Sequence, residues 1–254
     1  MCGFVGFTNH IDNSNRVLQE MLDKIKHRGP DAEGTYIDED IALGHRRLSI
    51  IDVSEAGTQP LYSEDGNLVL VFNGEIYNYQ EIRARLMEKG YHFATQTDSE
   101  VLIYGYREYG AKLLDQLRGM FAFVIWDKQE KTLFGARDFF GIKPLYYAQM
   151  GETLLFGSEI KSFLCHPHFK KVLNTTALEK LPHLPVLSLR RNLLPGRLQA
   201  AAGALLHLQG RQIRDEALLG RALPRRRTAG SGHLGQPHLR HVPQQCGGAQ
   251  DRRC

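Results

Sequence analysis

An α+β fold, with antiparallel strands in hairpins and helices packed on them, is what the sequence predicts, and three observations predict it. Residues 120–126 and 132–136 are apolar runs rich in strand formers, joined by the polar stretch 127–131, which is hairpin patterning. Residues 68–72 (Leu-Val-Leu-Val-Phe) are continuously apolar and short, which suits a strand covered on both faces. Val17, Leu18, Met21, Leu22 and Ile25 recur with the i, i+3, i+4 spacing of an amphipathic helix. Strands and helices of this length must cover each other's apolar faces in layers.

In chain order, Gly3 and Gly6 bracket Phe4 and Val5, a buried strand whose start lets another group approach closely. The helix over 17–25 ends before His27-Arg28-Gly29-Pro30-Asp31, where Gly-Pro forces a turn. Strand-like runs follow at 34–37 and 41–43, then Gly44-His45-Arg46-Arg47-Leu48-Ser49-Ile50-Ile51-Asp52. Two adjacent arginines in such a run are expected on a solvated edge. Gln59-Pro60-Leu61 turns into another strand, and the 68–72 run stops at Asn73-Gly74, a pair common in hairpin turns. A helix follows with Asn78 at its cap, Glu81 three residues on and Gly90 at its end. Thr97-Asp98-Ser99-Glu100 has a capping-box pattern and opens a helix reaching Tyr109-Gly110. Beyond Arg137 a second hairpin pairs 146–148 with 154–156, and Ser158-Glu159 opens a short helix. Cys165-His166-Pro167-His168 lacks a second pair of ligands and reads as loop rather than metal site.

The 254 residues carry four cysteines without a CxxC pair, which argues against disulfides and structural zinc. No leader-like or long apolar run is present, so a cytoplasmic protein without membrane partners is expected. The net charge of +4 joins two unlike stretches. Residues 1–180 hold 20 Lys+Arg against 25 Asp+Glu; residues 181–254 hold 12 Arg, no Lys and 3 acids. That second stretch also has no Phe, Tyr, Trp or Met. With little to bury and a high charge, 181–254 is expected to be disordered. Its arginines would attract nucleic acid without specificity.

Chemistry concentrates at the start. Removal of Met1 would leave Cys2 with a thiol and an α-amine on one residue. The amine, with an ordinary pKa near ~7.7, could accept the thiol proton at neutral pH. The plainer alternative is a buried structural cysteine.

Taken together, Cys2-Gly3, Arg28-Gly29-Pro30-Asp31, Arg47-Leu48-Ser49-Ile50-Ile51-Asp52, Gln59-Pro60 and Asn73-Gly74-Glu75-Ile76-Tyr77-Asn78 resemble glutamine-hydrolysing asparagine synthetases. Thr97-Asp98-Ser99-Glu100, Gly119-Met120-Phe121-Ala122-Phe123 and the run from Arg137 to Tyr147 fit the same family. The resemblance covers 1–180 almost without a break. It implies a four-layer αββα N-terminal-nucleophile hydrolase sandwich of two antiparallel sheets, over a glutaminase domain of residues 2–180. By the same resemblance Cys2 is the nucleophile, and Asn73 and Gly74 are the oxyanion donors. Arg47 would hold the α-carboxylate of L-glutamine beside Leu48, Ile50 and Ile51, and Glu75 and Asp98 its α-ammonium. Arg28 and Asp31 are left as scaffold. No cofactor is implied for this domain; ATP and Mg serve the family's second domain, and the family is often homodimeric.

That second domain carries a Ser-Gly-Gly-x-Asp-Ser loop, which residues 1–254 lack. Leu181-Pro182-His183-Leu184-Pro185-Val186-Leu187, written in suitable codons and shifted by one base, reads Tyr-Leu-Thr-Phe-Gln-Tyr-Ser, as the family does at this point. Residues 198–219 behave in the same way. Residues 181–254 are therefore expected to be an out-of-frame tail, and the chain to perform only glutamine hydrolysis. The competing expectations are an inactive fragment and, from the tail alone, a basic nucleic-acid-binding protein.

Overall fold

The computed structural model describes residues 2–48, 57–172, 197–199, 203–209 and 212–217, all within one unit, Met1–Ala222. One sheet has the order β10-β8-β9-β1-β3-β2, built from β1 (Gly3–Thr8), β2 (Ala32–Ile37), β3 (Ile41–Arg47), β8 (Tyr146–Met150), β9 (Thr153–Gly157) and β10 (Arg197–Gln199). The other has the order β12-β11-β7-β6-β5-β4. Its strands are β4 (Leu61–Tyr62), β5 (Leu68–Ile76), β6 (Gly119–Asp127), β7 (Thr132–Arg137), β11 (Ala204–Gln209) and β12 (Gln212–Ala217). The pairings are antiparallel throughout.

Side-chain alternation turns these sheets into four layers. Along β5, Leu68, Leu70 and Phe72 join Ile82 and Leu86 of α2 (Tyr79–Glu88) and Val101 and Leu102 of α3 (Glu100–Tyr109). The intervening Val69 and Val71 face the first sheet and pack with Phe4, Leu43 and Phe156. On the far side of that sheet, Val5 and Phe7 pack with Leu18, Met21 and Leu22 of α1 (Ser14–Lys24) and with Phe163. The order helix, sheet, sheet, helix is the αββα sandwich. Asp38 ties the inner layers together, accepting hydrogen bonds from Tyr36 Oη (2.6 Å) on β2 and Trp126 Nε1 (2.9 Å) on β6.

Several local expectations change in this frame. β5 does not stop at a hairpin turn after Phe72: it continues through Asn73, Gly74 and Glu75 to Ile76, paired residue by residue with β6. A Cβ on Gly74 would lie 2.3 Å from Met120 O and 2.8 Å from Phe121 Cα, so glycine is required there by the neighbouring strand. Arg46 and Arg47 are not on a solvated edge. β3 lies between β1 and β2, and both arginines are buried. Arg46 is repaid for burial by Asp23 (2.8 Å) and Glu33 (2.6 Å). Asn78 stands at the start of α2 but its amide binds Gln116 O and Arg118 N instead of capping. Glu100 reaches back to the N–H groups of Ala94 and Thr95, both at 2.8 Å, rather than closing a capping box with Thr97.

β10, β11 and β12 fall within the stretch expected to be disordered. Strand pairing uses backbone groups that every sequence supplies, and β7 and β8 each offer a free edge. The two sides of β11 also carry suitable apolar groups. Leu205 packs with the helix-side core and Leu206 with the core between the sheets. Leu206→Asp should therefore cost about 3 kcal/mol or more, as a charge replaces a buried leucine. Equilibrium chemical unfolding measures this, and an unchanged midpoint would mean that β11 is dispensable.

Candidate active site

Cys2 precedes β1, the second strand in from where β3 meets β2, and its position is held from several sides. Arg28 Nε donates to Cys2 O at 3.0 Å, while Arg28 Nη1 is anchored by Glu159 Oε1 at 2.9 Å. Two residues on, Phe4 N donates to Ser158 Oγ at 3.1 Å. The sulfur sits against the end of β3, 3.3 Å from Leu48 N, which donates to it, and 3.5 Å from Leu48 O. Arg28 thus acts on the backbone of Cys2, a role the sequence left undecided. Glu159 and Ser158, which make that clamp possible, carried no signal beyond opening a helix.

A cavity of about 340 Å³ opens beside Cys2, of a size suited to a small ligand. It brings together Cys2, Arg47, Leu48, Asn73, Gly74, Glu75 and Asp98, all singled out from sequence. Ile50 and Ile51 lie outside the described residues. Gln59, Thr97, Ser99, Met120, Ile142 and Lys143 also line it and were not anticipated as site residues. Gln59 Oε1 accepts Phe72 N at 2.6 Å and so steadies β5 just before Asn73.

Asn73 is buried, and its Nδ2 has no hydrogen-bond partner among the described residues. An orphaned buried donor costs about 1–3 kcal/mol, which makes it a group kept for something other than stability. His45, which meets the residue before it, is wholly buried and held near a pKa of about 4 by desolvation, hence neutral. Its Nε2 is 3.0 Å from Phe72 O, which can only accept, so Nε2 carries the proton.

Charges of both signs line the cavity. Arg47 is buried at one side, with Nη1 3.4 Å from Thr58 Oγ1 and Gly57 close behind it; a Cβ at Gly57 would come within 2.5 Å of Arg47 Nη2. Asp98 lies at the approach to α3, where its Oδ2 accepts Ile76 N at 2.8 Å. Burial pushes its carboxyl up to about 6, and the negative charge of Glu75 adds to the effect; the Ile76 N–H pulls the other way. A guanidinium and two carboxylates lining one cavity with a thiol and an amide donor unpaired among the described residues fit a zwitterionic amino acid with a polar side chain.

An αββα sandwich carrying such a cavity is the architecture of a glutamine amidotransferase domain. The chain belongs to the glutamine amidotransferase domain family, whose model matches residues 1–216. Among curated proteins it is 50% identical over 169 residues to asparagine synthetase [glutamine-hydrolyzing] 1 of Bacillus subtilis, covering 65% of this chain and 27% of that protein. It is 42% identical over 178 residues to amidase chry2 of Gibberella zeae, covering 65% of this chain and 26% of that one. The chain thus spans about a quarter of the length of these relatives. Among solved structures, a B. subtilis glutamine phosphoribosylpyrophosphate amidotransferase complexed with ADP and GMP superposes with a TM-score of 0.64 at 20% identity. That match covers 85% of this chain and 49% of the other, and supports the fold. Among the described residues there is no helix long and apolar enough to cross a membrane.

The Asp98 carboxyl carries a pH dependence. Its folded pKa is raised above the ordinary 3.8, so the fold favours the protonated form. Stability is lost as pH rises from about 4 through 6, and the penalty is complete above that. Asp98→Asn should therefore stabilise the ligand-free protein at pH 7.5, by on the order of 2 kcal/mol, and have little effect at pH 4. Urea unfolding at the two pH values is the measurement; equal effects at both would contradict this account.

Proposed function

We propose that this chain hydrolyses L-glutamine to glutamate and ammonia, with Cys2 as an amino-terminal nucleophile once Met1 is removed. The observation that carries the reading is the buried, unpartnered Asn73 amide in the same cavity as the Cys2 sulfur. In this reading the α-amine of Cys2 takes the thiol proton, and the thiolate attacks the side-chain carboxamide carbon. The carbonyl π pair moves to oxygen, giving a tetrahedral oxyanion that Asn73 Nδ2–H and the Gly74 N–H stabilise. One such donor is typically worth ~2.7–4 kcal/mol. Collapse of the intermediate expels ammonia, which takes the proton from the amine, and leaves a thioester at Cys2. Water, deprotonated by the same amine, attacks the thioester and releases glutamate and the thiol.

Arg47 supplies two parallel donors for the α-carboxylate, and Glu75 with Asp98 receive the α-ammonium. An ammonium beside Asp98 repays its burial only when the carboxyl is ionised. Glutamine should therefore bind with release of a proton near pH 6 and weaken below it.

For the chain as given we propose this half-reaction alone. The relatives' complete activities, including any amidation of aspartate with ATP and Mg, belong to proteins of which this chain matches only about a quarter. We also keep the proposal that the stretch from Leu181 is translated out of frame. The coding DNA tests it directly: a match to the family's aromatic linker in a frame shifted by one base is expected, and its absence ends the idea.

Glutamate release from glutamine, measured on chain whose mass shows loss of Met1, is the primary test. Cys2→Ala should abolish it. Asn73→Ala should lower kcat about 10²–10³-fold with little change in KM, since the bond forms only with the oxyanion. Arg47→Lys should chiefly raise KM. No turnover from correctly processed chain would defeat the free-standing glutaminase reading.

A further inference from the structure

β5 is paired with β6 along its whole length, but with β4 only at Val69 and Leu70. Beyond Leu70 its other edge has no strand beside it among the described residues. In an antiparallel ladder each residue turns its N–H and its C=O to the same edge, and alternate residues serve that edge. Side chains show which residues serve the open one. Phe72 N donates to Gln59 Oε1 at 2.6 Å, and Phe72 O lies 3.0 Å from His45 Nε2. Ile76 N donates to Asp98 Oδ2 at 2.8 Å. Gly74, midway between Phe72 and Ile76, therefore turns its N–H to the same edge.

The neighbouring strand agrees. Phe121 stands opposite Gly74 in the register. It gives its N–H to Asp138 Oδ2 at 3.3 Å and takes the Asp138 N–H on its carbonyl at 2.8 Å, so its backbone groups are turned away from β5. The Gly74 N–H is thus outside the β5–β6 ladder, on the edge that borders the cavity Gly74 lines. An amide stabilises an oxyanion well only when its direction is set before the charge develops. Gln59 does on this edge, with a side chain, what a longer β4 would do with its main chain. Gln59 is itself buried, and its backbone is packed so closely on β2 that a Cβ at Gly34 would collide with Gln59 O.

We propose that Gln59 is a positioning residue for the oxyanion site: by holding Phe72 N it sets the direction of the Gly74 N–H two residues further along β5. Gln59 exchanges no proton and makes no bond to the reacting atoms. The proposal rests on the reading of the Gly74 N–H as an oxyanion donor and adds the group that aims it.

The test uses the full chain after loss of Met1. Glutamate release gives kcat, and calorimetric titration of L-glutamine into the Cys2→Ala chain gives the ground-state Kd. Gln59→Leu removes the acceptor for Phe72 N. It should lower kcat about tenfold or more, while the same substitution in the Cys2→Ala chain leaves Kd within about threefold. Gln59→Glu keeps an acceptor oxygen and should hold kcat within about threefold of the parent. Thermal unfolding verifies that the variants fold, and Gln59→Met replaces the Leu variant if that one does not. An unchanged kcat in a folded apolar variant overturns the proposal, as does a Glu variant that loses as much as Leu. A Kd weakened as much as kcat is lowered would make Gln59 a ligand contact and also overturns it. If neither apolar variant folds, Gln59 serves the fold and the proposal falls. A parent chain without turnover refutes the glutaminase reading and ends the proposal with it, whereas an active parent with an indifferent Gln59 refutes the positioning role alone.

Discussion

Phe4, Leu43 and Phe156 from one sheet pack against Val69, Val71 and Val124 from the other, and this apolar contact determines where the ends of β1 and β5 come together. Every residue of the cavity is referred to it. Cys2 is placed by β1 and Arg47 by β3 of the first sheet; Asn73, Gly74 and Glu75 are placed by β5 of the second. Neither sheet alone contains a site. Because strand faces alternate, a slip of one residue in β5 would exchange Val71 with Phe72 and turn the whole strand over. The residue-by-residue pairing with β6 holds that register, and the absent side chain at Gly74 lets the two backbones stay close where the cavity begins.

The polar groups around the cavity are expensive, and the fold supports them from behind. Arg28 is fixed by Glu159 and in turn fixes the backbone of Cys2. Gln59 steadies Phe72 through its N–H, and His45 in its neutral form does so through its carbonyl. Asp98 and Asn73 are different. Asp98 is buried with its carboxyl pushed toward neutrality, and Asn73 keeps a buried amide donor with no partner among the described residues. Arg28 Nη2 and His45 Nδ1 are likewise unpaired among the described residues, but of these groups Asn73 and Asp98 are the ones that line the cavity, where a ligand can reach them.

The strands contributed by residues 197–217 show how forgiving an antiparallel edge is. The arginine excess and lack of aromatics in that part of the chain argue against order, yet β11 pairs with β7 and β10 with β8. Ladder bonds use the main chain, and a pair such as Leu205 and Leu206 is enough to address the two apolar faces. Composition averaged over a long stretch hides so short a pattern.

The periodicities of 68–72 and 17–25, the hairpin around 127–131 and the motif set from Cys2 to Asp98 could be read along the chain, because each is a local signal or a set of residue types. That Cys2, Arg47, Asn73, Gly74, Glu75 and Asp98 belong together was an expectation from resemblance, and the fold sets them round one cavity. Three-dimensional pairing alone decided the rest. Arg46 and Arg47 look like a solvated edge until β1 and β2 are seen to flank β3. Asn73-Gly74 looks like a turn until β6 is laid beside it. Arg28 and Gln59 have no local mark of their roles, since one acts on a carbonyl 26 positions away and the other on an N–H 13 positions away. Propensity and spacing act between neighbours in sequence; burial, register and the field at a buried charge depend on what the folded chain brings up from elsewhere.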